Sequence, residues 1–267
     1  MCTIAMQIWM CWFQGEEDLM SRGPVLNQVA LRAWRALHPH SVTLVTRQNM
    51  YTLLPDFCMR DDRMLAHSAD LLRLMLLAKY GGTWVDMSCI PTMPLDRWLP
   101  TDTTFFTFRF LPRSLSHKGN RETVNWFLHA NEACHPLVVK WLKLFSEHYH
   151  GTQPLKYFQM HDSLCYLYDT DPAVRQTINE MPQISEAFPH GTHRSSKILG
   201  GKFDASKLAN RHRTQTEVDL SNRIRCIMRS KSSEVAPLEA LRQKFLHSAQ
   251  QERICRMLQE AEALVKD

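Results

Sequence analysis

Two short stretches of the chain carry residue types at spacings that suit chemistry: Ser68, Asp70 and Arg73, followed by Asp86 and Ser88. Asp70 and Arg73 stand three apart, which puts them on one face of a helix. That helix is otherwise apolar, with Leu71, Leu72, Leu74, Met75, Leu76 and Leu77, so both charged groups need partners. One reading is an internal ion pair, because buried charges must be paired. The other is that the planar fork of Arg73 faces a ligand phosphate or sugar hydroxyl, with Asp70 accepting from a second hydroxyl. Asp86 directly follows a strand and is flanked by Trp84, Met87 and Cys89. A carboxylate there is a loop cap or a ligand for a hard cation, because divalent ions that neutralise pyrophosphate take oxygen ligands.

These residues need elements to position them. Ile4–Phe13 is a continuous apolar run ending in the polar turn Gln14-Gly15-Glu16-Glu17, the pattern of a buried strand and a loop. Pro24 opens a helical spacing through Leu26, Val29, Ala30, Ala33, Trp34 and Leu37, and His38-Pro39 ends it. Ser41–Thr46 is β-branched and reads as a strand. Strand, helix and strand together make a βαβ unit, which favours a parallel sheet with nucleotide-type chemistry at its carboxyl edge. Ala66–Tyr80 is the clearest helix, stopped by Gly81-Gly82, and Thr83–Val85 is a brief strand leading to Asp86. Thr103–Phe110 is expected as a strand, and Pro136–Tyr149, Tyr157–Tyr168 and Arg242–Val265 as helices.

Composition narrows the classes. The 267 residues carry 32 basic and 27 acidic side chains, a net charge of +5, with 44% apolar residues. That balance is globular and excludes disordered or collagen-like chains. The eight cysteines form no CxxC pair, which points to reduced thiols in a cytoplasmic protein rather than to zinc or a disulfide framework. No apolar stretch reaches the roughly 20 residues that a bilayer requires. The first positive charge is Arg22, so the apolar beginning reads as a strand and not a signal peptide. Residues 191–232 carry ten basic side chains against Asp204, Glu217 and Asp219, a local charge of +7. The histidines do not cluster with metal spacing, although His190 or His193 could add a ligand. Trp84 and Trp126 are candidates to stack on a sugar or base. Nucleic-acid binding is disfavoured, because the basic residues are not interleaved with aromatics.

The order SxDxxR, a leucine-rich helix, Tyr80-Gly81-Gly82, an aromatic and an aspartate resembles the sugar-nucleotide glycosyltransferases with a DxD motif. It resembles most the capsular polysaccharide synthesis glycosyltransferases, together with Ile8-Trp9-Met10-Cys11-Trp12-Phe13-Gln14-Gly15-Glu16 and Tyr157-Phe158-Gln159-Met160-His161. The resemblance spans roughly residues 4–190. It implies an α/β fold of the GT-A type: a mixed, mostly parallel sheet flanked by helices, in a domain over 1–232 with a helical extension over 233–267. It implies transfer of a sugar from a UDP- or GDP-sugar to a glycan or lipid-linked glycan acceptor, with retention of configuration. A cytoplasmic enzyme at the inner face of the membrane fits that role. By the same analogy Trp9, Gln14 and Gly15 border the nucleotide base. Ser68, Asp70, Arg73, Gly82 and Asp86 hold the donor. Asp86 and Ser88 take the two DxD positions around Mn2+ or Mg2+. The serine in the second position puts the metal in question, leaving room for a nucleotide-sugar-binding relative without turnover. It also leaves room for Arg211, Arg213, Arg223, Arg225 and Arg229 to reach the pyrophosphate. An inverting course needs a base, for which His161, Asp162 and Glu132 are the candidates.

Overall fold

A computed structural model of the chain describes residues 7–91, 94–97, 99, 101–109, 123–182 and 227–229. In chain order the elements are β1 (Ile8–Cys11), α1 (Glu16–Arg22), α2 (Val25–Leu37), β2 (Val42–Val45), α3 (Met50–Leu53), α4 (Leu65–Tyr80), β3 (Gly82–Val85) and β4 (Cys89–Pro91). A 3-10 turn (Leu95–Arg97) leads to β5 (Phe105–Arg109), β6 (Thr123–Ala130), α5 (Pro136–His150), α6 (Gln159–Thr170), α7 (Pro172–Glu180) and β7 (Ile227–Arg229). They fall into two compact units: 1–16, 41–86 and 102–185 form one, and 17–40, 87–101 and 186–267 the other.

The first unit is built on a five-stranded sheet in the order β2-β1-β3-β6-β5. β1 pairs in parallel with both β2 and β3, whereas β6 runs antiparallel to β3 and to β5. Four of the five strands therefore point one way and β6 alone runs back, a mixed and mostly parallel α/β sheet as expected. The central strands are apolar without alternation because both faces are covered. β3 is buried along its whole length. Thr83, with no apolar option of its own there, meets His129 across the sheet, Oγ1 to Nδ1 at 3.0 Å.

α4 carries the core. Leu71, Leu72, Leu74, Leu76 and Leu77 pack with Trp9, Trp84, Leu128, Trp141 and Phe145 in one apolar cluster. Its burial around nearly the whole girth explains why its sequence lacks an amphipathic stripe. The helix ends at Gly81, and Gly82 adopts φ +90°. A Cβ on Gly82 would sit 2.4 Å from the Gln7 carbonyl oxygen, so only glycine lets β3 start so close to the chain entering β1. α5 begins with proline in its first turn, and Trp141 donates its indole N–H to the Met160 carbonyl at 3.0 Å, tying α5 to α6. α7 is capped by Asp171, which accepts from the Ala173 and Val174 amides.

In the second unit, Trp34 of α2 donates to the Cys89 carbonyl of β4 at 2.8 Å. β4 pairs antiparallel with β7, Cys89 opposite Arg229.

Several expectations are corrected. The turn expected over Gln14–Glu17 is confined to Gln14 and Gly15, and Glu16 and Glu17 already belong to α1, where Arg22 pairs with Asp18 one turn back. β6 and α7 lie outside the expected elements. β6 is almost wholly buried, so its sequence shows no period of two, and α7 spans only nine residues. The terminal helix over Arg242–Val265 and the division at residue 232 lie outside the described residues, as do His190, His193, Arg211, Arg213, Arg223 and Arg225. Arg229 ends β7. Among the described residues, no helix is long and apolar enough to cross a membrane.

Candidate active site

The parallel strands β1 and β3 end side by side, since Ile8 is level with Thr83 and Trp9 with Trp84. In open α/β sheets ligands collect outside this carboxyl edge. Asp86 leaves β3 there, its amide still donating to the Trp126 carbonyl of β6 at 2.9 Å. Because β6 runs backwards, its beginning rather than its end lies at the same edge, and that brings Asn125 to the site.

Arg73 joins these parts. Its guanidinium lies 3.1 Å from Asp70 Oδ1 and 3.5 Å from Asp86 Oδ1, and it also hydrogen-bonds the Asn125 carbonyl. It stacks over the Trp84 ring, 4.9 Å from the centroid. The Trp84 indole N–H in turn donates to Asp86 Oδ1 at 2.9 Å. Asn125 donates from Nδ2 to Asp70 Oδ1 at 3.0 Å and to Met160 Sδ at 3.7 Å. Asp70 and Arg73 are each 6% exposed at the side chain, whereas Asp86 is 23% exposed. The internal ion pair anticipated for Asp70 and Arg73 is thus present, and Asp86 is the member that reaches solvent.

Burial pushes the Asp70 carboxyl up to about 7. The attraction of Arg73 and the bond from Asn125 oppose this rise, and repulsion from Asp86 adds to it. Burial likewise pushes the Cys11 thiol, at the end of β1, up to about 12, with Arg73 pulling it down and Asp86 pushing it up. Cys11 is therefore a neutral wall of the site and not a nucleophile.

Two carboxylates face one guanidinium, so the cluster offers oxygen ligands of the kind a divalent cation takes. Mg2+ and Mn2+ in phosphate sites take one or two carboxylates and complete their shells with substrate phosphates and water. The partly exposed carboxylate of Asp86 fits that role. Ser88, half-buried two residues on, offers only a neutral oxygen. Among the described residues, no three His, Cys, Asp or Glu side chains gather as a metal cage.

The other expected site residues divide. Trp9 is buried in the core, donates its indole N–H to the Gly81 carbonyl at 2.9 Å and tilts against Tyr80. Gln14 is exposed in the turn after β1, where the Gly15 amide donates to Trp12. Ser68 is fully buried, with its hydroxyl 2.9 Å from the Tyr149 hydroxyl, a link between α4 and α5. Gly82 serves the start of β3, as described above. Trp126 stacks on Phe108 within the core, with centroids 4.9 Å apart. His161 and Asp162 lie in the first turn of α6, beside the Met160 that touches Asn125. Glu132 follows the end of β6, against Gly81 at the opposite end of β3 from Asp86, so the structure does not bring it to the site. Asn125 and Cys11 are the members the residue patterns do not reveal. The one available signal was a lone amide in the otherwise apolar stretch Val124-Asn125-Trp126-Phe127-Leu128.

The solved structures similar to this chain include the PaToxG glycosyltransferase, 14% identical with a TM-score of 0.44 over 82% of this chain and 83% of that one. The glycosyltransferase GlyE of Streptococcus pneumoniae TIGR4 is 10% identical with a TM-score of 0.38, covering 95% of this chain and 60% of that one. An active-site mutant of LgtC is 10% identical with a TM-score of 0.41 over 96% of both chains. No curated protein matches the chain. The capsular polysaccharide synthesis protein family matches residues 2–233, nearly the whole length. The chain belongs to that capsular polysaccharide synthesis protein family.

Proposed function

We propose that this protein is a glycosyltransferase that moves a sugar from a nucleoside diphosphate sugar to a glycan acceptor during capsular polysaccharide synthesis, with the donor at the Asp70–Arg73–Asp86 cluster. The observation that carries this reading is the arrangement of that cluster: a buried carboxylate and guanidinium hold a second carboxylate, partly exposed, at the carboxyl edge of the sheet. Arg73 is a positioning residue. It fixes Asp86 through Asp86 Oδ1 and fixes β6 through the Asn125 carbonyl. Burial raises the Asp70 carboxyl to about 7, so it can take up or release a proton near neutral pH. A divalent cation held by Asp86 would neutralise the charge that develops on the leaving nucleoside diphosphate. In the retaining course that the resemblance implies, the leaving phosphate accepts the acceptor's proton, and no side-chain base is needed.

A thermal-shift panel of UDP- and GDP-sugars, each with and without Mn2+, tests the reading. Ligand at about 100 times its Kd stabilises by about 2.7 kcal/mol, a shift of several degrees. A shift with one nucleotide class that Asp86→Ala abolishes supports the proposal, and no shift with any donor refutes it. Turnover then separates the enzyme from a binding relative, the second reading that Ser88 favours: the relative shifts but releases no nucleoside diphosphate. The anomeric configuration of the product, read by NMR, decides between retention and inversion.

A further inference from the structure

Two tryptophans lie level with each other on neighbouring strands, Trp9 on β1 and Trp84 on β3. Both are buried in the same apolar cluster, 4% and 2% exposed. Neither therefore offers a ring face to a sugar or base, and the stacking expected for Trp84 is taken up by Arg73, 4.9 Å from its ring centroid. A buried indole still needs an acceptor for its N–H. The two find theirs at opposite ends of β3. Trp9 donates to the Gly81 carbonyl at 2.9 Å, just before the strand begins. Trp84 donates to Asp86 Oδ1 at 2.9 Å, just after it ends. The backbone of Asp86 is already placed, because its amide donates to the Trp126 carbonyl. What remains to be set is the direction of its carboxylate. Arg73 approaches Oδ1 only to 3.5 Å, so the bond from Trp84 is the shorter of these two holds.

We propose that Trp84 is a positioning residue: its indole N–H holds the Asp86 carboxylate in the orientation that takes the donor's divalent cation. The proposal rests on the glycosyltransferase reading above, with Asp86 as the cation ligand. An indole suits the task on three counts. It donates and cannot accept, so it steadies a carboxylate oxygen without competing for the cation. It is rigid and locked in the core, so the direction it imposes costs little further ordering. Its face carries a guanidinium better than a phenyl ring does, so one side chain sets both Arg73 and Asp86. Partners of this kind are worth as much as the ligands they orient: losing one typically weakens metal binding about tenfold to a hundredfold. Trp9 marks the contrast, since its N–H closes the turn into β3 at the end of the strand away from Asp86.

The test uses the full chain and Mn2+ as the probe, alone and with UDP or GDP present, with binding followed by loss of the free-ion EPR signal. Trp84→Phe keeps a ring beneath Arg73 and removes the N–H. It should bind Mn2+ at least about tenfold more weakly than the wild type. Trp9→Phe removes an equally buried indole N–H from the same cluster and should leave Mn2+ affinity unchanged, which a general loosening of the core would not do. A wild-type measurement covers the case of a variant that does not fold. Among the seven indole N–H resonances, Mn2+ should broaden that of Trp84 at lower concentration than that of Trp9. Wild-type affinity in Trp84→Phe, an equal loss in Trp9→Phe, broadening of Trp9 first, or no Mn2+ binding by the wild type each overturns the inference. If the wild type binds a nucleotide sugar but no Mn2+, the positioning role falls and the glycosyltransferase reading stands. If Mn2+ affinity depends on Trp84 but no nucleotide sugar binds, the positioning role stands and the donor reading fails.

Discussion

Replacing Asp70 with asparagine tests the central cluster through stability alone, without knowledge of the substrate. In the folded protein the Asp70 carboxyl is raised to about 7, whereas an unfolded chain leaves an aspartate near 3.9. Between these values the folded state holds a proton that the unfolded state has lost. Its bound-proton number is the larger, and stability falls as pH rises. The decline tails off between about pH 7 and pH 8, above which both states are ionised. From pH 5 to 7 the loss amounts to about 2–3 kcal/mol, close to 1.36 kcal/mol for each unit of pH. Asp70→Asn removes the titration and keeps an oxygen able to accept from Arg73 and from Asn125. His129, whose burial lowers it to about 4, titrates alike in both proteins and cancels in the difference. Urea unfolding of the two proteins at half-unit steps from pH 5 to 8 measures the effect. The wild type should lose about 2–3 kcal/mol relative to the variant up to pH 7, and only about 0.4 kcal/mol more by pH 8. A difference that stays flat over the range means Asp70 is ionised throughout, and the account of a proton-sharing donor cluster is then wrong.

Arg73→Met leaves Asp70 buried without its cation and should cost about 3–5 kcal/mol in urea unfolding, part of it recovered when Asp70→Asn is added. Gly82→Ala combines φ +90° with a Cβ 2.4 Å from the Gln7 carbonyl, and should lower stability by at least about 2 kcal/mol or prevent soluble expression. Ser68→Ala breaks the hydroxyl pair with Tyr149 at a cost of about 1 kcal/mol and should leave nucleotide-sugar affinity unmoved in the thermal-shift panel; a tenfold loss would place Ser68 at the donor instead.

What the sequence discloses follows the range of the interactions involved. α4 is legible because its apolar residues are contiguous and Gly81 stops it, and the facing of Asp70 and Arg73 follows from helical spacing alone. The parallel pairing of β1 and β2 follows from the strand-helix-strand order. Asn125 is different. It reaches Asp70 across 55 residues, only because β6 turns back against β3, and no local pattern encodes that reversal. Glu132 shows the same limit from the other side, since it shares a chain neighbourhood with β6 but emerges at the wrong end of it. Trp9 and Ser68 resembled ligand contacts by position, yet their polar atoms are satisfied by Gly81 and Tyr149 within the core.

The arginine at the centre also gives the site a place in time. It binds groups from its own helix, from the exit of β3 and from β6, so the cluster is complete only when all three have come together. The first two lie within 16 residues of Asp70 and can meet early in folding, whereas β6 must be captured from about 40 residues further along the chain, a slow kind of closure. The expected outcome in a refolding experiment is that α4 helicity, followed by far-ultraviolet circular dichroism, returns before nucleotide-sugar binding does, because the proposed donor cluster is closed only when β6 docks.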